Sequence, residues 1–257
     1  MMFEFVDTHT HVTDEAFKGE EEAVIERAVA AGVTHLLQAD ISSREREPMR
    51  EICRRHPGVL HPMLGLYPGS VEADWQSELA LVEAADRSDV VAVGEVGLDY
   101  HFSTEFREEQ KQALRIQLEL ASQWDLPVNI HLRDATGDFV EIIEDCRHLG
   151  LRGNLHAFSG SAEIFDRLLR SGDWYVGIGG VVTFKNAGIA KELERIPLER
   201  ILLETDAPYL APTPLRGTRN ESSNIPLIAA KVAEIKGVSL EEVAARTTSN
   251  AKKLFSI

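Results

Sequence analysis

The sequence predicts an α/β fold: a single (β/α)8 TIM-type barrel spanning residues 1–257 as one domain. Three observations predict it. Short apolar, β-branched runs occur eight times, at intervals of about 20–37 residues, with helical patterns between them. Several runs, such as Val90-Val91-Ala92-Val93, are hydrophobic without alternation, which suits strands covered on both faces. The first run leads straight into His9-Thr10-His11, where an open, doubly wound sheet would place a glycine-rich phosphate loop. Eight strand–helix alternations imply a parallel sheet, and eight strands are the number that closes on itself.

Taken in order, the expected strands are Phe5 to Asp7, Val33 to Gln38, Leu60 to Leu64, Val90 to Gly94, Val128 to Ile130, Gly153 to Leu155, Trp174 to Ile178 and Ile201 to Leu203. After the first, Glu20 to Ala31 repeats apolar residues at Ala23, Val24, Ala28 and Ala31, and Gly32 follows as a helix stop. Glu105 to Trp124 is the longest expected helix, with Leu114, Leu118 and Ala121 on one stripe. Ser161 to Arg170 opens on a hydroxyl that can cap free N–H groups, with Glu163 in the first turn against the helix dipole. Ser222 to Lys236 and Ser239 to Thr247 close the chain.

Composition narrows the function classes. A hydrophobic fraction of 44% is enough for a sizeable core. The net charge of −15 argues against a protein that coats nucleic acid through a broad basic surface. It leaves room for an enzyme acting on a strand end, because divalent cations and a few basic residues can reverse the field in one cleft. Met1-Met2-Phe3-Glu4-Phe5-Val6 lacks the basic start and long apolar run of a secretory signal. No stretch approaches the roughly 18 apolar residues of a membrane span. Cys53 and Cys146 fall in separate expected helices and make a poor disulfide framework. These features lead us to expect a cytoplasmic monomer that engages no membrane.

Chemistry-bearing side chains gather at strand ends. His9 and His11 end the first strand at i and i+2, a spacing that turns both imidazoles to one face. Glu95 ends the fourth strand, His131 the fifth, His156 the sixth and Asp206 the eighth. One such residue alone is commonly a satisfied core histidine or a helix cap. Six of them at one end of five strands lie where barrel enzymes hold their active sites. Imidazole and carboxylate ligands suit Zn²⁺, Mn²⁺ or Fe²⁺, and carboxylate with water also admits Mg²⁺. His35, His56, His61, His101 and His148 fall elsewhere and are assigned packing or solvation only.

Strand period also marks the layer beneath. Asp7, Asn129, Asn154 and Glu204 stand two residues before a metal-type side chain, where a barrel interior is normally aliphatic. We expect these four to hydrogen-bond the ligands or one another and to orient the imidazoles.

Several segments, in order, resemble the TatD family of metal-dependent deoxyribonucleases. They are Val6-Asp7-Thr8-His9-Thr10-His11, Gly94-Glu95-Val96-Gly97-Leu98-Asp99-Tyr100, Pro127 to Ala135, His156-Ala157-Phe158-Ser159-Gly160, Leu203 to Pro212 and Arg216 to Glu221. The resemblance implies a metal-dependent hydrolase barrel with two divalent ions, Mg²⁺, Mn²⁺ or Zn²⁺. It implies that His9, His11 and Asp206 hold one ion, that His131 and His156 hold the other, and that Glu95 bridges them. It further implies DNA as substrate, single-stranded or at 3′ ends, trimmed by metal-activated water. Two departures stand out. Tyr67 occupies a position after the third strand, facing the substrate, where the family often has His, and Ser222 follows Arg219-Asn220-Glu221 where Pro is usual.

On this reading Asp206 and Glu95 are the catalytic carboxylates, with Asp206 the candidate general base. Arg133, Lys185 and Tyr67 are the candidate substrate contacts. Arg133 has a salt bridge as its ordinary alternative, and Lys185 a solvated loop position. Arg216 and Arg219 are expected to lock the structure, by pairing with Glu204 or Asp99, or else to touch phosphate. A hydrolase of another ester, amide or phosphoester small molecule is the alternative function, and a non-catalytic scaffold would be expected to lack a ligand.

Overall fold

The computed structural model describes residues 3–257. Eight parallel strands stand in chain order: β1 (Phe5–Thr10), β2 (Val33–Gln38), β3 (Leu60–Leu64), β4 (Ala92–Asp99), β5 (Val128–Arg133), β6 (Arg152–Leu155), β7 (Asp173–Ile178) and β8 (Ile201–Leu203). The ring closes between β1 and the segment after β8. Asp206 N donates to His9 O and His11 N to Ala207 O, both at 2.9 Å, and Thr8 Oγ1 donates to Leu203 O. The expected (β/α)8 barrel is the observed one.

The helices are α1 (Glu21–Ala30), α2 (Ser43–Arg55), α3 (Trp75–Ala84), α4 (Arg107–Trp124), α5 (Thr136–Asp145), α6 (Ala162–Leu168), α7 (Ile189–Arg195), α8 (Ile225–Lys236) and α9 (Leu240–Phe255). Ser161 caps α6 as its sequence suggests, accepting from Ile164 N at 3.3 Å. Leu114, Leu118 and Ala121 of α4 are fully buried, in the same core as Val93, Val96 and Leu98 of β4. Cys53 and Cys146 are free and buried. Among the described residues no helix is long and apolar enough to cross a membrane.

Several boundaries shift from those read in the sequence, β1 among them, which runs on from Asp7 to Thr10, and three further shifts bear on the site or its support. β4 starts at Ala92 and runs on to Asp99, so Glu95 sits inside the strand rather than at its end. β5 continues to Arg133, with Gly97 paired to His131 and Asp99 to Arg133. Gly97 permits that pairing, since a Cβ there would stand 1.8 Å from the carbonyl oxygen of His131. α9 continues well beyond Thr247 to Phe255. Asn250 donates to the carbonyls of Leu198 and Ile201, and Thr248 to that of Glu4, so polar residues here tie the helix to the barrel instead of ending it.

Candidate metal centre

The six metal-type side chains converge at the C-terminal mouth of the barrel. His9 lies in β1 and His11 one residue past it. Glu95 and His131 are carried by β4 and β5, and His156 directly follows β6. Asp206 stands three residues beyond β8 in a left-handed conformation, φ +55°. The contacts given above between its backbone and β1 hold it there.

Glu95 is the centre of the arrangement. Its Oε2 faces His9 Nε2 at 3.4 Å and His11 Nε2 at 3.8 Å. Its Oε1 faces His131 Nδ1 at 2.8 Å and His156 Nε2 at 3.1 Å. Asp206 Oδ1 lies 3.6 Å from His9 Nε2 and 3.4 Å from His11 Nε2. His9, His11 and Asp206 each offer one atom to a group no wider than 4.8 Å, and so do His9, Glu95 and His156. Among the described residues these are the two such groups.

Hydrogen bonding fixes where the lone pairs point. The amide of Asn129 donates through Nδ2 to Thr8 O and Asn154 Oδ1, so its Oδ1 is the acceptor 2.8 Å from His9 Nδ1. His9 therefore carries its proton on Nδ1 and presents a bare Nε2 to the cluster. His131 is held the opposite way round. Its Nε2 is held by Asp99 Oδ2 at 2.9 Å, so Nδ1 is the atom turned toward Glu95 and His156, free to give up its proton when a metal binds. His156 points Nδ1 toward Glu204 Oε1 at 3.4 Å, off the line of a hydrogen bond, and Nε2 into the cluster. His9 Nε2 and His11 Nε2 lie 3.1 Å apart, and both face Glu95 Oε2 and Asp206 Oδ1, so two imidazole nitrogens and two carboxylate oxygens surround one small space. The donor set fits divalent ions.

The electrostatics agree. Burial pulls the His11 imidazole down, but Asp206 and Glu95 outweigh it and raise it above the ordinary value. Burial likewise opposes His131 and His156, but Asp99 and Glu95 raise the first and Glu95 and Glu204 raise the second. Glu95 and Asp206 are driven up by burial and brought below the usual carboxylate range by the surrounding imidazoles.

The polar layer beneath is present and fully buried, and Asn129 bonds both a metal-type imidazole and Asn154, as expected, though across the ring rather than along its own strand. Asn129 serves His9 rather than His131, and Glu204 faces His156 rather than Asp206. Asp7 accepts from Thr205 N, Thr205 Oγ1 and the backbone N of His9, and touches no imidazole nitrogen. Side chains inside a barrel point toward its axis, so each meets a neighbour from another strand rather than the ligand above it on its own. Glu204 also needs Gly177, where a Cβ would stand 1.9 Å from its Oε2. Asp99, the carboxylate against His131, is the neighbour of the cluster that sequence reasoning misses. Its position four residues after Glu95, in a run shared with the family resemblance, is the available signal.

A cavity of about 680 Å³ opens over the cluster, lined by His11, Glu95, His131, His156 and Asp206 together with Tyr67 and Arg133. Tyr67 sets its ring edge against His131, centroids 5.0 Å apart, with its hydroxyl 3.5 Å from Asp99 Oδ2. Arg133 is exposed, has no ion-pair partner among the described residues, and rests its guanidinium 5.0 Å from the ring centroid of Phe102. Lys185 is exposed on the loop after Gly180–Thr183 and lies outside the cavity lining. Arg219 pairs with Glu20 and Glu221, and Arg216 lies over Phe184. The structural role thus stands, with partners other than Glu204 and Asp99.

Comparison with known proteins gives the same picture. The family model described as TatD related DNase matches residues 6–256. The metal-dependent hydrolase YabD of Bacillus subtilis is 38% identical over 253 residues, 98% of each chain. The 3'-5' ssDNA/RNA exonuclease TatD of Pantoea vagans is 33% identical, covering 98% of this chain and 99% of that one. Among solved structures, the TatD homologue YjjV of Escherichia coli K12 superposes over 100% of both chains with a TM-score of 0.89 at 29% identity. The match over nearly the whole chain, with the donor cluster in place, shows that this chain belongs to the TatD related DNase family of metal-dependent hydrolases.

Proposed function

We propose that the chain, working as one barrel domain, is a two-metal phosphodiesterase that trims single-stranded nucleic acid, DNA foremost, from the 3′ end. The observation that carries this reading is Glu95, whose two oxygens each face a different pair of imidazoles. That is the disposition a bridging carboxylate needs. His9, His11 and Asp206 would hold one ion, His131 and His156 the other. Mg²⁺, Mn²⁺ or Zn²⁺ bound there would supply Lewis acidity to the phosphate and to the attacking water.

The remaining work falls to the protein. Asp206, in reach of both His9 and His11, is placed to take the proton of the water. Asn129 and Asp99 would hold His9 and His131 in the orientations given above, and Glu204 would set its charge beside His156. Arg133 is the only Arg or Lys lining the cavity among the described residues, so it is the side chain that meets phosphate charge directly. Tyr67 would offer a phenolic hydrogen bond. Lys185, outside the cavity, would reach only a strand that extends beyond it.

That single cation also supports the second reading, a hydrolase of a smaller ester, since Asp14 and Glu45 line the same cavity. One experiment separates the two. The protein is stripped with a chelator, Mg²⁺, Mn²⁺ and Zn²⁺ are restored separately, and 3′-labelled single strands and small esters are offered in parallel. Stepwise loss of the label with at least one metal supports the nuclease. Turnover of small esters with intact oligonucleotides under all three metals rejects it.

A further inference from the structure

Phe102 and Tyr209 are the two most exposed large apolar side chains among the described residues, at 81% and 54%. Both line the mouth of the cavity over the donor cluster, one from the loop after β4 and the other from the loop after β8. A lone exposed aromatic ring is ordinary on a protein surface unless something holds it at a ligand-sized opening. Here it is held in place as well as exposed. The Arg133 guanidinium lies 5.0 Å from the Phe102 ring centroid, and His101 meets the ring edge to face at 4.9 Å. His101 is itself anchored, Nδ1 to Asp134 Oδ2, at 2.8 Å.

A net charge of −15 opposes the approach of a polyanion on balance, so a strand must be gripped locally. An aromatic face beside one cation is the combination that grips single strands, because every base has a face to stack and every link has a phosphate. We propose that Phe102 is the stacking platform for one base of a single-stranded polynucleotide, with Arg133 on the adjoining phosphate. The pair would set the preference for unpaired strands. In a duplex the base faces are already covered by their neighbours. This inference rests on the nuclease reading above and names the group that would make it specific.

The test uses the full-length, metal-loaded protein. Binding of a phosphorothioate oligothymidylate is followed by fluorescence anisotropy, and cleavage of the ordinary oligothymidylate by release of its 3′ label. An abasic oligonucleotide of the same length is the control. Phe102→Ala should weaken binding to oligothymidylate about tenfold, with KM rising in step. Affinity for the abasic strand should stay as in the wild type, and Phe102→Trp should restore the loss. Arg133→Ala should lower the salt dependence of binding by about one charge, while Phe102→Ala leaves it unchanged. The proposal is overturned if Phe102→Ala binds oligothymidylate as the wild type does, or loses equally on the abasic strand. A wild type that cleaves no oligonucleotide with any metal overturns the nuclease reading itself. A wild type that cleaves normally alongside an indifferent Phe102→Ala overturns only this inference. Phe102 is exposed, so its removal leaves the core intact, and a thermal melt checks this.

Discussion

Asn129 Oδ1 lies 2.8 Å from Nδ1 of His9, although Asn129 belongs to β5 and His9 to β1, on the other side of the ring. One amide thus sets the tautomer of a metal-type histidine and ties two distant strands together through Thr8 and Asn154. Asn129→Leu removes the acceptor. Metal affinity should fall about 10- to 100-fold, the usual effect of losing a ligand's hydrogen-bond partner. The barrel should persist, because the strand ladder and the apolar packing of the helices outside it do not pass through this amide. Calorimetric titration of the stripped variant with Mn²⁺, beside its circular dichroism, measures both. Unchanged affinity would dispose of the orienting role.

Asp99 should matter in a different part of the centre. It accepts from Nε2 of His131, so Asp99→Asn can turn an N–H toward that nitrogen and shift the proton to Nδ1, the atom facing Glu95. We expect the affinity for one equivalent of metal to drop about 10- to 100-fold while the equivalent at His9, His11 and Asp206 is largely kept. A two-site titration shows this as one weakened step. Equal weakening of both steps, or of neither, would contradict the assignment.

Metal binding should release protons, and more of them at lower pH. His11, His131 and His156 are raised above the ordinary histidine value in the metal-free protein. A metal binds only the deprotonated form. Protons and metal therefore compete, and the competition sharpens as pH falls through the raised values. Affinity should decline with falling pH, starting above the pH where a free histidine begins to protonate. Titrations in buffers of differing ionisation enthalpy give the proton count. A count near zero at neutral pH would show that these imidazoles are already neutral there.

How far the sequence reaches follows from what kind of residue carries each signal. β2, β3 and β8 are legible to the residue because they are apolar runs bounded by breaks. β4 and β5 read short because Glu95, Asp99, His131 and Arg133 look like loop residues, and only the closed ring shows them as strand. The ligand set is legible because each member follows closely on an apolar run. Its supporting bonds are not. Strand period places Asn129 under His131, and only the curvature of the barrel sends it to His9. Phe102 carries no sequence signal, since a lone aromatic in a loop gives no period to read.

Gly97 offers a test of how the backbone positions the centre. It sits on β4 opposite His131, at φ +152°, and a Cβ there would fall 1.8 Å from the His131 carbonyl oxygen. The neighbour is backbone, held in the β4–β5 ladder, and cannot swing aside as a side chain would. Gly97→Ala must therefore part the two strands or twist the one that carries His131. We expect a loss of about 3 kcal/mol or more, at or beyond the upper end for overpacking. Gly137 provides the contrast. It lies in α5 with nothing within 4 Å of where an added methyl group would stand, so Gly137→Ala adds helix propensity and should stabilise by up to about 1 kcal/mol. Urea unfolding of both variants, with metal titration of the folded Gly97→Ala protein, measures the difference. A Gly97→Ala protein as stable as the wild type and equally avid for metal would mean that β4 and β5 need not approach so closely to build the site.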